Sequence, residues 1–381
     1  MSVRSLLGAV VVSGLLVSAC STDVPELTRT TGQLGTSWQR VPLTGGLTPV
    51  TLAVDGTTVL IGGHSPRRPH PRLLSGTDAT ALREVPLTPR SPYAFEGRWF
   101  QIISRDGHVD AIAGARGGAH GNYRWTTWSG SAKGVSEQEQ PFGVFGSYGA
   151  GDLAGMAYAG ESPVILGAWQ SDRTGLDVAT WARTGERWAR QPSTGTPLGS
   201  TADELVAGRA ITSGGAGLVL SGSVTRLAPG SVRVDPAVWT SPDADGPWKR
   251  IDLPRAPDAT GLTEAHAASC TPHRCLVSGA SGARLTIWEV AGQSVRRLTG
   301  IPDVVMPETA VALAPLMMGD DDVVVTPSEG GSTVLRRSGE SWSVGEGPRG
   351  TPVSAIVNGD ELWLVTTDAQ ATGTLWRSRV R

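Results

Sequence analysis

The chain has 381 residues and nearly balanced charges, with 33 lysines and arginines against 35 aspartates and glutamates. The net charge of −2 argues against nucleic acid as a partner, because binding a phosphate backbone requires a basic surface. Beyond the N-terminal segment, no stretch approaches the roughly 20 apolar residues that a membrane-spanning helix needs. We therefore expect the rest of the chain to be soluble.

The N-terminus has the layout of a bacterial export signal. Arg4 supplies a positive charge, residues 6–17 are largely apolar, and small residues precede Cys20. The sequence Val-Ser-Ala-Cys that ends at Cys20 resembles the lipobox of bacterial lipoproteins. This resemblance implies cleavage before Cys20 and attachment of diacylglycerol to its thiol, with acyl chains such as palmitate, so that the bilayer is one partner. An ordinary secretory signal with a chance cysteine is the alternative.

The segment after Cys20 is polar and threonine-rich and contains no aromatic residue up to Thr36. Such a composition is typical of a flexible tether between a membrane and a domain. The predicted organisation is therefore a signal peptide over residues 1–19, a lipidated cysteine and tether over 20–36, and one domain over 37–381. We expect a lipid-anchored protein on the outer side of the cytoplasmic membrane, within the cell envelope.

From Ser37 onward, short apolar runs alternate with clusters of Gly, Pro, Asp, Ser and Thr, which predicts an all-β sandwich, barrel or propeller. Internal repeats favour the propeller. From Glu264 the chain reads as four short strands, EAHAASC, CLVSGA, LTIWEV and SVRRLTG, joined by tight turns. Four strands in about 40 to 50 residues are typical of one propeller blade. The same pattern begins again at Leu47, Leu153, Leu205 and Thr309.

The two ends of the chain complement each other. The last repeat, from Pro352, has only three strands, whereas residues 37–43 resemble the fourth strand of the other repeats. We predict that this N-terminal strand completes the last blade and closes the ring. The predicted fold is a seven-bladed β-propeller of four-stranded antiparallel blades. The inner strands of the region 90–141 lack a clear pattern, so six or eight blades are the alternatives.

Tryptophans recur near the ends of third strands and at the starts of fourth strands. We predict that they fill the core between neighbouring blades, since blades pack through large side chains. Exposed platforms for carbohydrate stacking are the alternative. The third-strand group is Trp128, Trp181, Trp239, Trp288 and Trp376, and the fourth-strand group is Trp38, Trp188, Trp248 and Trp342.

The turn Ser-Pro-Asp-Ala-Asp-Gly-Pro-Trp, which begins at Ser241, resembles the Asp-box of BNR-type, sialidase-like propellers. Ser241, Asp243 and Trp248 match the box, but Gly246 comes one position late and Pro247 replaces a threonine. In that family the box stabilises the turn between the third and fourth strands and is not catalytic. The arginine motif of sialidases, Phe/Tyr-Arg-Ile-Pro, does not occur near the first blade, so the resemblance does not extend to sialidase chemistry.

The cysteines other than Cys20 are Cys270 and Cys275. An even pair in an exported chain predicts a disulfide, here one that closes a tight hairpin. A metal pair is the alternative, although only His266 and His273 lie nearby as further ligands.

Two loop regions are candidates for ligand binding. An arginine- and histidine-rich loop in blade one could hold an anion, and otherwise it is a solvated loop. Two glycine-rich aromatic stretches, 117–123 and 142–149, lie at blade connections, where propeller pockets form. The candidate residues are Arg67, Arg68, His70 and Arg72 in the first region and His120, Asn122 and Tyr148 in the second.

No catalytic motif and no cofactor or metal site is predicted from the sequence. The main functional prediction is a non-catalytic binding or scaffold module, which recognises a protein or an envelope glycan through the loops on one face of the ring. The alternative is a glycoside hydrolase-like enzyme, a propeller of the sialidase type acting on envelope or extracellular sugars, although no spacing marks its pair of carboxylates.

Overall fold

Seven four-stranded antiparallel sheets form a ring, so the chain is a seven-bladed β-propeller, as predicted. Two of the sheets gain a fifth, parallel strand at one edge. The computed structural model describes residues 32–65, 70–118, 121–215, 217–256, 259 and 261–380.

The N-terminal half of the ring contains three blades and two short strands that precede them. Those two strands are β1 (Gly32–Gln33) and β2 (Gln39–Arg40). Blade one contains β3 (Thr48–Asp55), β4 (Thr58–His64), β5 (Pro71–Gly76) and β6 (Arg83–Glu84). Between blades one and two lie β7 (Leu87–Thr88) and the helix α1 (Pro92–Phe95). Blade two contains β8 (Arg98–Arg105), β9 (His108–Gly117), β10 (Asn122–Ser131) and β11 (Gly134–Gln138). Blade three contains β12 (Ala150–Ala159), β13 (Ser162–Gln170), β14 (Leu176–Thr184) and β15 (Arg187–Arg190).

The remaining four blades follow in chain order. Blade four contains β16 (Glu204–Gly214), β17 (Gly217–Ala228), β18 (Ser231–Ser241) and β19 (Lys249–Asp252). Blade five contains β20 (Thr263–Cys270), β21 (Cys275–Ser281), β22 (Arg284–Ala291) and β23 (Ser294–Arg297). Blade six contains β24 (Leu316–Met318), β25 (Asp321–Ser328), β26 (Gly331–Ser338) and β27 (Ser341–Glu346). Blade seven contains β28 (Thr351–Asn358), β29 (Glu361–Thr367) and β30 (Gly373–Arg379).

The ring closes through the N-terminal strand β2. It pairs antiparallel with β30, where Gln39 lies opposite Arg377, and so supplies the fourth strand of blade seven. The N–H of Val41 continues the pairing with the carbonyl of Leu375 at 2.9 Å, and the Val41 side chain is buried. The prediction of ring closure is therefore confirmed.

The chain joins the ring earlier than the predicted tether boundary at Thr36. The strand β1 pairs in parallel with β27 of blade six, and Leu34 is only 5% exposed. The hydroxyl of Thr36 and the indole N–H of Trp38 both donate to the carbonyl of Glu346, at 2.8 and 3.0 Å. Leu34 is an apolar side chain within a polar segment, and its burial holds residues 32–36 against blade six.

Blade two is a single complete blade, so neither six nor eight blades are formed. Its second strand, β9, is buried on both faces over most of its length. Small side chains such as Ala111, Ala113 and Ala115 fit between the neighbouring blades. Because both faces are buried, the strand lacks the alternation of apolar and polar residues that identifies a strand in a sequence.

The third-strand tryptophans fill the core and also hold the connections between blades. Trp181, Trp239 and Trp288 are at most 1% exposed. Each indole N–H donates to a carbonyl of the linker that enters its own blade, which satisfies the one polar atom of a buried ring. Trp376 and Trp38, at the closing seam, are only half-buried. For the indoles of Trp181, Trp239 and Trp288, the acceptors are in turn the carbonyl oxygens of Val144, Pro197 and Pro254, at 3.0, 2.9 and 2.8 Å.

The strands of each blade alternate in direction, so the connections fall on two faces. The turn face carries the turns between first and second strands and between third and fourth strands. The linker face carries the loops between second and third strands and the linkers between blades. The described parts of these linkers are residues 41–47, 85–97, 139–149, 191–203, 253–256, 259, 261–262, 298–315 and 347–350.

A disulfide joins Cys270, the last residue of β20, to Cys275, the first residue of β21. The two residues lie directly opposite each other in the strand register, with Cα atoms 4.0 Å apart and an S–S distance of 2.05 Å. The predicted disulfide is confirmed, and it excludes the metal pair. It closes a four-residue turn on the turn face.

Truncations of the N-terminus test the closing seam. We compare chains that start at Gly32, Gly35 and Gly45, and we expect their melting temperatures to decrease in that order. Loss of Leu34 removes a buried side chain, a change that typically costs about 2–5 kcal/mol. Loss of β2 in addition opens the ring. Thermal melting followed by circular dichroism measures the effect, and equal melting temperatures for the first and third chains would contradict closure.

Candidate ligand-binding surface

The exposed apolar side chains are concentrated on one face of the ring. Every large apolar side chain that is exposed in the described chain lies in a linker or within the first three residues of a strand that starts at the linker face. Exposed apolar patches on a soluble domain are characteristic of interaction sites. These residues are Phe95, Phe100, Phe142, Tyr148, Leu176, Val232, Leu262, Val305, Val311 and Val353.

The phenylalanines and tyrosines mark one part of this face. The chain has only four of each, and all eight lie between residues 93 and 158. Tyr158 does not lie on the linker face. Its hydroxyl donates at 3.0 Å to Asp110, a residue of β9 that lies close to the turn face. The other seven lie at the linker-face ends of blades two and three: Tyr93, Phe95, Phe100, Tyr123, Phe142, Phe145 and Tyr148.

A cleft of about 210 Å³ opens at this junction. The linkers 85–97 and 139–149 form its sides and β10 forms its floor. The rings of Tyr123 and Trp125 meet at 4.5 Å between centroids. The cleft thus brings together parts of the two glycine-rich aromatic stretches that the sequence analysis singled out. Its aromatic lining residues are Tyr93, Tyr123, Trp125, Phe142 and Phe145.

Two glycines leave the space that two of these rings occupy. A Cβ atom at Gly117 would lie 2.4 Å from the ring of Tyr93, and one at Gly146 would lie 2.6 Å from the ring of Phe142. Neither distance is possible for a real side chain, so any other residue would displace the ring. Gly117 and Gly146 therefore shape the cleft.

Arg124 contributes the cleft's guanidinium. Its Cζ atom lies 4.1 Å from the centroid of the Phe142 ring, a cation–π contact. Across the described part of the chain, this guanidinium has no hydrogen bond and no ion pair. Beside it, burial raises the pKa of Tyr123, and the protonated phenol donates to the carbonyl of Gly114 at 3.0 Å.

Two other polar side chains that line the cleft already form hydrogen bonds that hold the linkers. Glu137 is 2% exposed, and its carboxylate accepts from the N–H groups of Arg90 and Ser91 and from the Ser91 hydroxyl, at 2.6 to 2.7 Å. Gln140 donates to the carbonyl of Glu186 and accepts from the N–H of Trp188. These side chains stabilise the walls of the cleft.

In the arginine-rich loop, Arg72 is already engaged. It forms a two-point ion pair with Glu84, at 2.8 and 2.6 Å, and it donates to the carbonyls of Thr44 and Gly45. The hydrogen bond from Arg72 lowers the pKa of Glu84. Arg72 therefore fixes the entry to blade one. Arg67 and Arg68 lie outside the described residues.

The other candidates have different surroundings. His70 is exposed at the start of β5, and Asn122 is exposed at the start of β10. Tyr148 is 95% exposed in the linker before blade three, so its ring is fully available to a partner. Asn122 and Tyr148 therefore lie on the linker face near the cleft, whereas His120 lies outside the described residues.

The Asp-box-like turn lies on the turn face, away from the linkers. The Ser241 hydroxyl donates to the carbonyl of Asp243 at 2.7 Å, and Trp248 is buried. A hydrogen bond between the carboxyl groups of Asp243 and Asp245 raises the pKa of Asp243. The Thr180 hydroxyl of blade three donates to the carbonyl of Ala244 in the same turn at 3.0 Å. The turn therefore holds itself and its neighbouring blade, which fits a structural role.

His266 fixes the linker between blades five and six. Its Nδ1 accepts the N–H of Ala312 at 3.0 Å, and the Ser278 hydroxyl donates to the carbonyl of Leu313 at 2.7 Å. The sequence predicted a first strand of blade six from Thr309, but that strand begins at Leu316. Side chains of blade five take the backbone groups that a strand would need, so the prediction was wrong there.

No group of three or more His, Cys, Asp or Glu in the described ranges is placed to hold a metal ion. Likewise, no helix in this part of the chain is long and apolar enough to cross a membrane.

Comparisons with known proteins identify the fold alone. No protein family and no curated protein matches the chain. Among solved structures, the polysaccharide lyase Uly1 is 10% identical over 94% of both chains, with a TM-score of 0.54. A mutant puromycin hydrolase is 12% identical over 88% of this chain and 53% of its own, with a TM-score of 0.56. The extracellular domain of a hybrid two-component system from B. thetaiotaomicron is 10% identical, with a TM-score of 0.52; the similarity covers 90% of this chain and 40% of that one.

Buried His266 makes the linker face sensitive to acid. Burial lowers the pKa of His266, so this group contributes its full stability above about pH 6.5, the ordinary value for histidine. Below that pH the unfolded chain binds a proton that the folded chain does not, and stability falls. We expect His266→Asn, whose amide oxygen can accept the same N–H, to lose less stability between pH 7.5 and 5.5 than the parent.

Urea unfolding at the two pH values measures this difference. His273→Asn is the matched control, because His273 is exposed in the disulfide-closed turn. An equal acid loss in the parent and in His266→Asn would contradict the assignment.

Proposed function

We propose that this protein is a lipid-anchored, extracytoplasmic β-propeller whose linker face binds a protein or an envelope glycan without catalysing a reaction. The observation that carries the proposal is the one-sided distribution of exposed apolar side chains. The outer strand of each blade is either short or already covered by a parallel strand, so recognition depends mainly on the loops of a face. The linker face offers the larger loops and the exposed aromatic rings.

The geometry of the cleft favours binding over hydrolysis. A glycoside hydrolase needs two carboxyl groups that face its substrate. At this cleft the carboxylates are Glu137 and Glu139, and Glu137 is occupied by the backbone of the linker 85–97. Aromatic rings with an unpaired guanidinium are instead typical of the energetic centre of a binding interface.

The anchor rests on the lipobox resemblance, since Cys20 lies outside the described residues. The strand β1 runs parallel to β27, from the turn face towards the linker face. The N-terminal end of β1 thus lies at the turn face, which supports a linker face that is free to meet a partner.

Acylation of Cys20 is tested by Cys20→Ser. We expect the variant to lose incorporation of labelled palmitate and to be either released from the membrane or left uncleaved, because the thiol carries the lipid. The double variant Cys270→Ser/Cys275→Ser is the matched control and should keep the label. Unchanged labelling and membrane retention of Cys20→Ser would refute the anchor.

The binding face is tested by photo-crosslinking in cells. We replace Leu176 or Val311 on the linker face, and Lys133 or Glu161 on the turn face, with benzoylphenylalanine. We expect adducts of higher mass only from the linker-face positions, read by immunoblotting, because the partner contacts that face. Adducts from the turn face alone, or from neither face, would overturn the proposal. Digestion of an adduct with protease or glycosidase tells a protein from a glycan.

A further inference from the structure

We infer that the cleft at the linker-face end of blade two is a peptide-binding subsite. It takes one bulky apolar side chain of a partner protein and binds a neighbouring carboxylate of the same segment through Arg124. This inference rests on the proposed function and names the class of ligand for one part of the linker face.

The size and lining of the cleft fit a single apolar group. Its volume of about 210 Å³ is below the ~300–1,000 Å³ that is usual for a site enclosing a whole small-molecule ligand. Five aromatic rings line it, and Phe142 is 57% exposed at its rim. One large side chain can therefore be buried against the rings while the rest of the ligand stays outside.

The polar groups of the cleft argue against a sugar. A sugar ring presents several hydroxyl groups, and each needs a hydrogen-bond partner when it is buried. The Thr127 hydroxyl already donates to the carbonyl of Gln138, the Tyr123 hydroxyl donates to Gly114, and both ends of the Gln140 amide are engaged. The cleft thus offers mainly apolar surface, the exposed carboxylate of Glu139 and one guanidinium, that of Arg124. The apolar surface and the guanidinium suit an apolar side chain beside a carboxylate.

The charges around the cleft favour an anionic segment. Among the described residues, Arg98, Arg116, Arg124 and Arg190, all at linker-face ends of blades two and three, form no ion pair. In contrast, Arg226 in blade four pairs with three carboxylates. Uncompensated guanidinium groups attract an acidic partner and set its orientation.

Arg124 is preorganised to bind a carboxylate. Stacking on Phe142 fixes the plane of the guanidinium, and Gly146 leaves the space in which the Phe142 ring lies. The donors at the edge of a stacked guanidinium remain free for a two-point contact with a carboxylate. A lysine could not reproduce this contact, because its ammonium is a point charge.

The test is selection from a display library of random dodecapeptides on the full-length chain in detergent. We expect enriched peptides to carry Asp or Glu within two positions of Phe, Tyr, Trp or Leu. A synthetic copy of an enriched peptide should bind Arg124→Gln and Phe142→Ala at least tenfold more weakly than the parent, by fluorescence anisotropy. Arg124→Lys should lose most of the affinity. Arg173→Gln removes an exposed arginine from the same face outside the cleft, and we expect less than a twofold change.

The melting temperature of each variant shows whether it is folded, and Arg124→Gln removes no internal hydrogen bond that the described residues make. Peptides that bind Arg124→Gln and Phe142→Ala as well as the parent, but lose binding in Leu176→Asp, would overturn the subsite and leave the linker face as the binding face. Peptides that are insensitive to all three variants would count against both proposals. If no peptide is enriched and acidic oligosaccharides bind in an Arg124-dependent way, the ligand is a glycan and the inference is wrong. Enrichment of neither ligand overturns it as well.

Discussion

The pairing of β2 with β30 is the contact on which the rest of the ring depends. Each blade buries its faces against two neighbours, so an open ring would expose two apolar blade faces to water. Blade seven has only three strands of its own, and the fourth arrives from the opposite end of the chain. Burial of Leu34 and Val41 beside this seam ties the last two blades to the N-terminal segment. Stability of the domain is therefore set by a few residues before the first repeat.

Buried side chains of the closed ring make the linker face rigid. Linkers could be mobile, but here buried side chains hold them: tryptophan indoles in blades three to five, Glu137 in blade two and His266 in blade five. The linkers that carry the exposed rings therefore do not need to reorganise when a partner binds. Preorganisation of this kind reduces the entropy that binding costs.

The sequence allowed much of this fold to be predicted. The four-strand repeat, the orphan strand at 37–43 and the Cys270–Cys275 pair all follow from local pattern. The missing parts depend on contacts that pattern does not encode. Leu34 is one apolar residue in a polar stretch, and its burial is decided by blade six. The segment from Thr309 has the composition of a strand, but His266 and Ser278 bind its backbone. Arg72 could be read as a free cation because Glu84 faces it only after β5 and β6 pair.

The candidate surface was predictable only in part. The two glycine-rich aromatic stretches pointed to the junction of blades two and three, but Tyr93 and Arg124 reach the cleft from other segments. One signal was present in the composition: phenylalanine and tyrosine occur only between residues 93 and 158, whereas tryptophan is spread over the ring. Tryptophan thus builds the repeated core of the blades, whereas phenylalanine and tyrosine are concentrated at one part of the linker face. This contrast in composition points to that part as a candidate site.

The parallel contact of β1 with β27 has a mechanical consequence. A force applied to Gly32 along the axis of β1 loads the hydrogen bonds to blade six in shear before it reaches β2. Only two residues of β1 pair with β27, and the N–H of Leu34 adds one more bond to the same strand. Leu34 and the contacts of Thr36 and Trp38 with Glu346 thus bear such a force before it reaches the closing strand of the ring.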